Sequence, residues 1–232
     1  MNTKLILFSH HKVDELTIDR FNTVKKLNPS WDVISIGFEG YELLPNSIIT
    51  NKEKYPSNKD IQYFVLYNHI DWFDPDLFLY EGYIQKPNYD EYFLYEYDTD
   101  SNVSIESFFD TNVDFFGNGI CNPAREDWDW VKLYRKHNPY NTKFPILYAY
   151  GQSTCIYFKN HILKQCVNEV ITNKHLYDGM LSEVRGGTLV SQFTTLKKGR
   201  HDIEKYISWT HNDIKVNSKI PHFYHPVKKI IL

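Results

Sequence analysis

Three carboxylates, Glu96, Asp98 and Asp100, stand at alternate positions where the apolar run Tyr92-Phe93-Leu94-Tyr95 ends. On an extended strand, residues two apart point the same way, so all three can face one crevice. Gathered there they repel one another, and desolvation adds to the cost of keeping them charged. A divalent cation relieves both, and hard oxygen ligands suit Mg2+ or Mn2+. The first expectation is therefore a metal site at the end of a buried strand. Asp, Thr, Ser and Asn also dominate turns, so Asp98 to Asn102 fits an ordinary strand end as well. The calcium helix-loop-helix pattern does not fit: Val103 stands where that loop needs Gly, and Phe109 where it needs a bidentate Glu.

The elements that must position these acids begin at the first residues. Lys4 to Phe8 reads as a buried strand, Ser9-His10-His11 as a polar loop, and Asp14 as the cap of a helix carrying Ile18, Phe21, Val24 and Leu27. Asn28-Pro29 stops that helix, and Asp32 to Ile36 is a second strand. Strand, helix, strand over so short a span is a βαβ unit and implies a parallel sheet. Further on, the pattern predicts a short strand over 47–50, a helix over 61–73 and an amphipathic turn over 77–83. The strand 92–97 follows, then a short helix over 104–109 and a strand over 113–116. Trp128 and Trp130 sit in an amphipathic helix over 125–137, their rings read as core. Ile146 to Phe158 reads as two strand-like pieces broken by a hairpin, bulge or corner at Gly151, with Gln152 and Ser153 as contacts to a ligand. Lys159 to His175 is the clearest helix, with Ile162, Leu163, Cys166, Val167, Val170 and Ile171 on its core face.

Composition narrows the class. At 232 residues, with 42% hydrophobic and 16% aromatic side chains, the chain can build a real core, and one domain over 1–232 is the simplest organisation. Net charge is −3 without basic runs, which argues against nucleic acid as a partner. Three dispersed cysteines give neither a disulfide framework nor zinc spacing, and Cys155 and Cys166 read as reduced core thiols. There is no signal-peptide pattern and no apolar run long enough for a membrane span, so a cytoplasmic protein is expected.

The order of these parts resembles the GT-A nucleotide-sugar glycosyltransferases, over nearly the whole chain. The resemblance implies an α/β fold: a single GT-A-like domain with a mixed, mostly parallel central sheet flanked by helices. Its βαβ half, about 1–100, would bind the nucleotide, and about 101–232 would hold the acceptor and a metal-ligand tail. The family's D-x-D-type motif, at the carboxyl edge of the sheet, corresponds to Glu96-Tyr97-Asp98. Asp98-Thr99-Asp100 is the competing register, and Asp98 belongs to both. A later acidic residue at a helix start corresponds to Glu183 in Ser182-Glu183, where the family usually has an E-D pair. The terminal metal-binding His corresponds to His225.

By this resemblance the protein is a metal-dependent glycosyltransferase, a hexosyl- or related sugar transferase using Mn2+ or Mg2+. Its partners are a nucleoside-diphosphate sugar donor and a glycan or other hydroxyl acceptor. Asp98 and His225, with Asp100 in the second register, would hold the ion. Glu96 would face the ribose or base, or reach the ion through water, and Lys228 would meet the phosphates as a point charge. In an inverting transfer a carboxylate takes the acceptor proton, and Glu183 is the candidate base. Gly186-Gly187 would let backbone approach a ligand. Two other readings stand beside this one: a non-catalytic sugar- or nucleotide-binding module of the same fold, and a phosphatase of the haloacid-dehalogenase type, which also uses D-x-D. Taken by themselves, Glu183-Val-Arg185 also fits a surface turn, and His225 a histidine that closes a strand.

Overall fold

The computed structural model describes residues 2–56, 74–150, 152–197, 207–209, 213–214, 221–225 and 229–230. Its first three elements are β1 (Lys4–Ser9), α1 (Glu15–Leu27) and β2 (Asp32–Phe38), with β1 and β2 parallel in the register Leu5↔Asp32 to Ser9↔Ile36. Asp14 caps α1 by accepting from the Thr17 amide at 2.9 Å, which satisfies one of the amides that a helix start leaves without a partner. The buried face of α1 is Thr17, Arg20 and Val24, with Ile18 45% exposed. The helix is thus rotated from the stripe expected in the sequence, and a charged residue occupies the core face.

Strand β3 (Ile48–Thr50) adds to the far side of β2, and α2 (Asp76–Gln85) leads back to β4 (Glu91–Glu96). Short pieces follow: β5 (Asp100–Ser101), α3 (Ile105–Phe108), β6 (Phe115–Asn118) and α4 (Asp129–His137). Then come β7 (Gln152–Lys159), α5 (Asn160–Thr172), α6 (Lys174–Tyr177) and α7 (Ser182–Ser191). The remaining strands are β8 (Ile207–Trp209), β9 (Asp213–Ile214), β10 (Phe223–His225) and β11 (Lys229–Ile230). Among the described residues the central sheet has six strands, in the order β3-β2-β1-β4-β7-β6. β4 runs parallel to β1, while β7 runs antiparallel to both its neighbours. The expected mixed, mostly parallel sheet flanked by helices is what the chain forms.

Strand periodicity divides the core into two layers. Leu5, Leu7, Tyr92, Leu94, Ile156 and Phe158 face one side, where Leu77, Leu79, Leu163, Val167 and Leu189 cover them. Ile6, Phe8, Phe93, Tyr95, Cys155 and Tyr157 face the other, against Val24, Ile105, Phe109 and Phe223. Cys155 and Cys166 are buried free thiols, and Trp128 and Trp130 pack against the first layer. Among the described residues no helix is long and apolar enough to cross a membrane.

Several sequence expectations are corrected here. The turn expected over 77–83 is the helix α2, and it is not amphipathic: every residue from Asp76 to Gly82 is buried, because α2 touches the sheet as well as α5 and α7. Helix α4 begins at Asp129 rather than near Arg125. The stretch before Gly151 forms no strand; Ala149 makes a single antiparallel bridge to Cys121, and only the following residues join the sheet. The helix expected over 61–73 lies outside the described residues.

Candidate metal centre and active site

From β1 the chain moves outward through β2 and β3, then returns to the opposite side of β1 as β4. Such a reversal opens a crevice at the carboxyl ends of the two strands on either side of it. Here those ends are Ser9-His10 and Glu96-Tyr97, in register at Ser9↔Glu96. The acidic stretch and the two-histidine loop thus meet at one edge. His11 packs edge-on against Tyr97 with centroids 4.9 Å apart. His10 is 3% exposed, burial lowers its pKa, and its Nε2 has no hydrogen-bond partner among the described residues.

The three acids do not continue along one strand. β4 ends at Glu96, the amide of Tyr97 donates to Ser9 at 2.9 Å, and the amide of Thr99 turns back to the Glu96 carbonyl at 2.9 Å. This turn sends Asp98 and Asp100 to different neighbours. Tyr95 pins it by donating to the Thr99 carbonyl at 3.1 Å, and the Thr99 and Thr154 hydroxyls bond at 2.9 Å. Strand β10 then pairs antiparallel with β5, Tyr224 opposite Asp100, and brings His225 to the turn. The imidazole Nε2 lies 2.8 Å from Glu96 Oε2 and 3.1 Å from Asp98 Oδ1. Glu96, Asp98 and His225 offer one ligand atom each, all within 4.8 Å of one another.

Asp100 faces elsewhere: it is ion-paired with Arg20 Nη1, and its Oδ2 lies 3.1 Å from His222 Nε2. The expectation that all three acids share one face therefore fails at the turn, and Glu96 rather than Asp100 stands with Asp98 and His225. Gln152 and Ser153 open β7, with Gln152 opposite Asn118. Lys228 lies outside the described residues.

Burial disfavours the charged imidazolium of His225, but hydrogen bonds to Asp98 and Glu96 and their negative charge outweigh it, raising the pKa to about 9. A raised pKa means that the folded protein holds a proton which the unfolded chain releases. That stabilisation is complete below pH about 6.5 and is lost as the pH rises through 9. In chelator-treated protein, urea unfolding at pH 6 and pH 9.5 should show wild type losing on the order of 2 kcal/mol more than His225→Gln. Equal losses in the two proteins would remove the two-carboxylate cage around His225.

Glu183 sits in the first turn of α7, and its carbonyl accepts from the Tyr150 amide at 3.1 Å. Burial, and then the charge of nearby Glu96, raise its carboxyl pKa to about 8. It therefore belongs to the same electrostatic neighbourhood as the triad, and not to a surface turn. The next charged residue, Arg185, is wholly buried. Its Nε donates to Asp76 at 2.8 Å, its Nη2 to Asp74 at 2.8 Å and Asp76 at 2.5 Å, and its Nη1 to the Met180 carbonyl at 2.8 Å. Tyr80 completes the cluster by donating to Asp76 at 2.9 Å. Gly186 and Gly187 are small for a packing reason: a Cβ on the first would run into the Tyr150 ring, and on the second into the backbone of Ala149. No ligand is needed to explain them.

Sequence reasoning passed over Arg20, His222 and the Asp74-Asp76-Arg185 cluster. Arg20 left one signal, since positions 17, 20 and 24 share a helix face. The others left none, because each pairs with residues far away in the chain.

No protein-family profile matches this chain, and no curated protein does. Among solved structures, the PaToxG glycosyltransferase is similar over 83% of this chain and 68% of its own, at 12% identity and a TM-score of 0.32.

Proposed function

We propose that the protein is a metal-dependent glycosyltransferase of GT-A type, transferring a sugar from a nucleoside-diphosphate sugar to an acceptor hydroxyl. The observation that carries this reading is the convergence of Glu96, Asp98 and His225 at the sheet's switch point, with Glu183 held close by. Two carboxylate oxygens and one imidazole nitrogen form a donor set that suits Mn2+ or Mg2+. Without an ion, the proton of His225 balances the two carboxylates, and it would have to leave for Nε2 to serve as a ligand. Glu96, Asp98 and His225 would hold the ion. Bound there, it would neutralise the charge that develops on the departing diphosphate.

The remaining chemistry falls to the chain itself. Glu183, with a pKa of about 8, can take a proton from an acceptor hydroxyl near neutral to mildly alkaline pH, as inversion requires. The Arg185 cluster fixes the helix turn that carries it. The loop after β1 presents His10, whose buried Nε2 is suited to a polar group on the nucleotide.

A panel of nucleoside-diphosphate sugars with Mn2+, assayed for nucleoside-diphosphate release, tests the proposal. Release with one donor is expected; binding of a donor without release would point to a non-catalytic module, and phosphate release from simple phosphomonoesters to a phosphatase. Calorimetry locates the ion: Asp98→Asn should weaken Mn2+ binding at least about tenfold, the scale on which even the outer partners of a metal act. Unchanged binding would remove Asp98 from the centre.

A further inference from the structure

Asp100, Arg20 and His222 form a buried cluster that the proposed transfer does not use. Arg20 reaches inward from α1 and is 3% exposed, Asp100 opens β5, and His222 precedes β10. One carboxylate oxygen of Asp100 pairs with Arg20 Nη1, and the other lies 3.1 Å from His222 Nε2. The His222 amide also donates to Asn102 Oδ1 at 3.0 Å, and its ring stacks on Tyr224 at 4.5 Å. Antiparallel pairing of β10 with β5 begins directly afterwards, at Phe223↔Ser101. His225, the last residue of β10, lies three residues beyond His222.

We propose that the Arg20–Asp100–His222 cluster is a latch that docks β10 and so sets the position of His225 against Glu96 and Asp98. Asp100 acts as a positioning residue and not as a ligand. Arg20 fixes the carboxylate with its charge, and the carboxylate fixes His222. β10 also pairs in parallel with β8, from Phe223↔Ile207 to His225↔Trp209, but its contact with β5, the strand that leads from the acidic turn, covers two residues and would hold its register poorly by backbone pairing alone. A charge-assisted hydrogen bond at its entrance supplies direction as well as attachment. The latch is a claim about the strand; its consequence for the metal rests on the function proposed above.

Removing Asp100 would strand the Arg20 charge and could unfold the protein, so the informative change is at His222. His222→Phe keeps the ring and its stacking on Tyr224 but loses the donor, while His222→Gln places an amide N–H near the Nε2 position. Two measurements are made on each protein: amide hydrogen exchange at Phe223, Tyr224 and His225, and calorimetric titration with Mn2+ alone. In His222→Phe, exchange at the three amides should quicken by about tenfold or more. Mn2+ affinity should fall by about tenfold, and His222→Gln should restore both towards wild type. Unchanged exchange in His222→Phe overturns the latch. Quickened exchange with unchanged Mn2+ binding overturns its link to His225, and tighter binding would overturn it by making the released Asp100 a ligand. If the wild-type protein takes up no Mn2+, the metal reading falls, and the exchange result alone still decides whether the latch exists.

Discussion

Glu183→Gln is expected to lower turnover about a hundredfold or more, the usual cost of losing a positioned acid–base group. The amide fills the same volume and the triad lies on other elements, so donor KM and Mn2+ binding should stay close to wild type. A fall in kcat with little change in KM is the mark of an interaction made in the transition state alone. Wild-type activity should also climb with pH as Glu183 ionises, because only the ionised form can accept a proton; burial and then the charge of Glu96 raise its pKa, and a cation on Glu96 would offset the second cause. Stability runs the other way. Burial and Glu96 favour the protonated form, so the folded protein holds a proton that the unfolded chain releases between about pH 4.5 and 8, and stability falls across that window. Glu183→Gln, which cannot ionise, should therefore be more stable than wild type above pH 8 while being far less active. Transfer at the wild-type rate would sink the base assignment. A product that retains the donor's anomeric configuration would reassign Glu183 to orienting the acceptor.

Arg185→Met is expected to destabilise the fold by about 3–5 kcal/mol, the cost of removing one partner from a buried ion pair. Arg185 is buried between Asp74 and Asp76, whose carboxylates would be left together without a cation. Burial already raises Asp74 to about pH 6, against the opposing charge of Arg185. Without the guanidinium its carboxyl would rise further and take a proton, so the penalty should be smaller at pH 5 than at pH 8. Arg185→Lys should fall between, because an ammonium cannot reproduce the forked contact with Asp76 and Asp74. Denaturant unfolding at the two pH values measures both effects. A loss below about 1 kcal/mol at pH 8, the range of exposed pairs, would show that the cluster contributes little.

Local pattern was enough for most of the fold. The apolar runs at 4–8 and 92–97 and the capped helix after Asp14 carry their periodicity in neighbouring residues, and they fold where that periodicity puts them. What failed depended on surroundings. The residues of α2 look half-polar, yet Asp76 and Glu81 are buried with partners, Arg185 for the first and Tyr55 for the second, that no local pattern reveals. In α1 the tertiary contact chose Arg20 over Ile18 for the inner face. The site divides in the same way. Asp98, Glu183 and His225 were legible as residue types in a known order, whereas the strand alternation that grouped Asp100 with Glu96 stops at the turn after Glu96. A turn two residues long is enough to exchange one candidate ligand for another, and spacing alone does not disclose it.

The pairing of β5 with β10 has a consequence for the order in which the molecule is made. The contact between Asp100 and His222 spans 122 positions, whereas β1, α1 and β2 meet within a few dozen. Closing a long loop costs entropy before any contact repays it, so far-apart strands join late on the folding route. A partly folded chain in which β1, β2 and β4 had assembled before β10 would carry Glu96 and Asp98 without His225. Such a species offers a cation two carboxylates and no imidazole, too little to hold it firmly. If the site takes a cation as proposed, its three candidate ligands come together only once β10 has joined, so ion binding would be coupled to the docking of that strand.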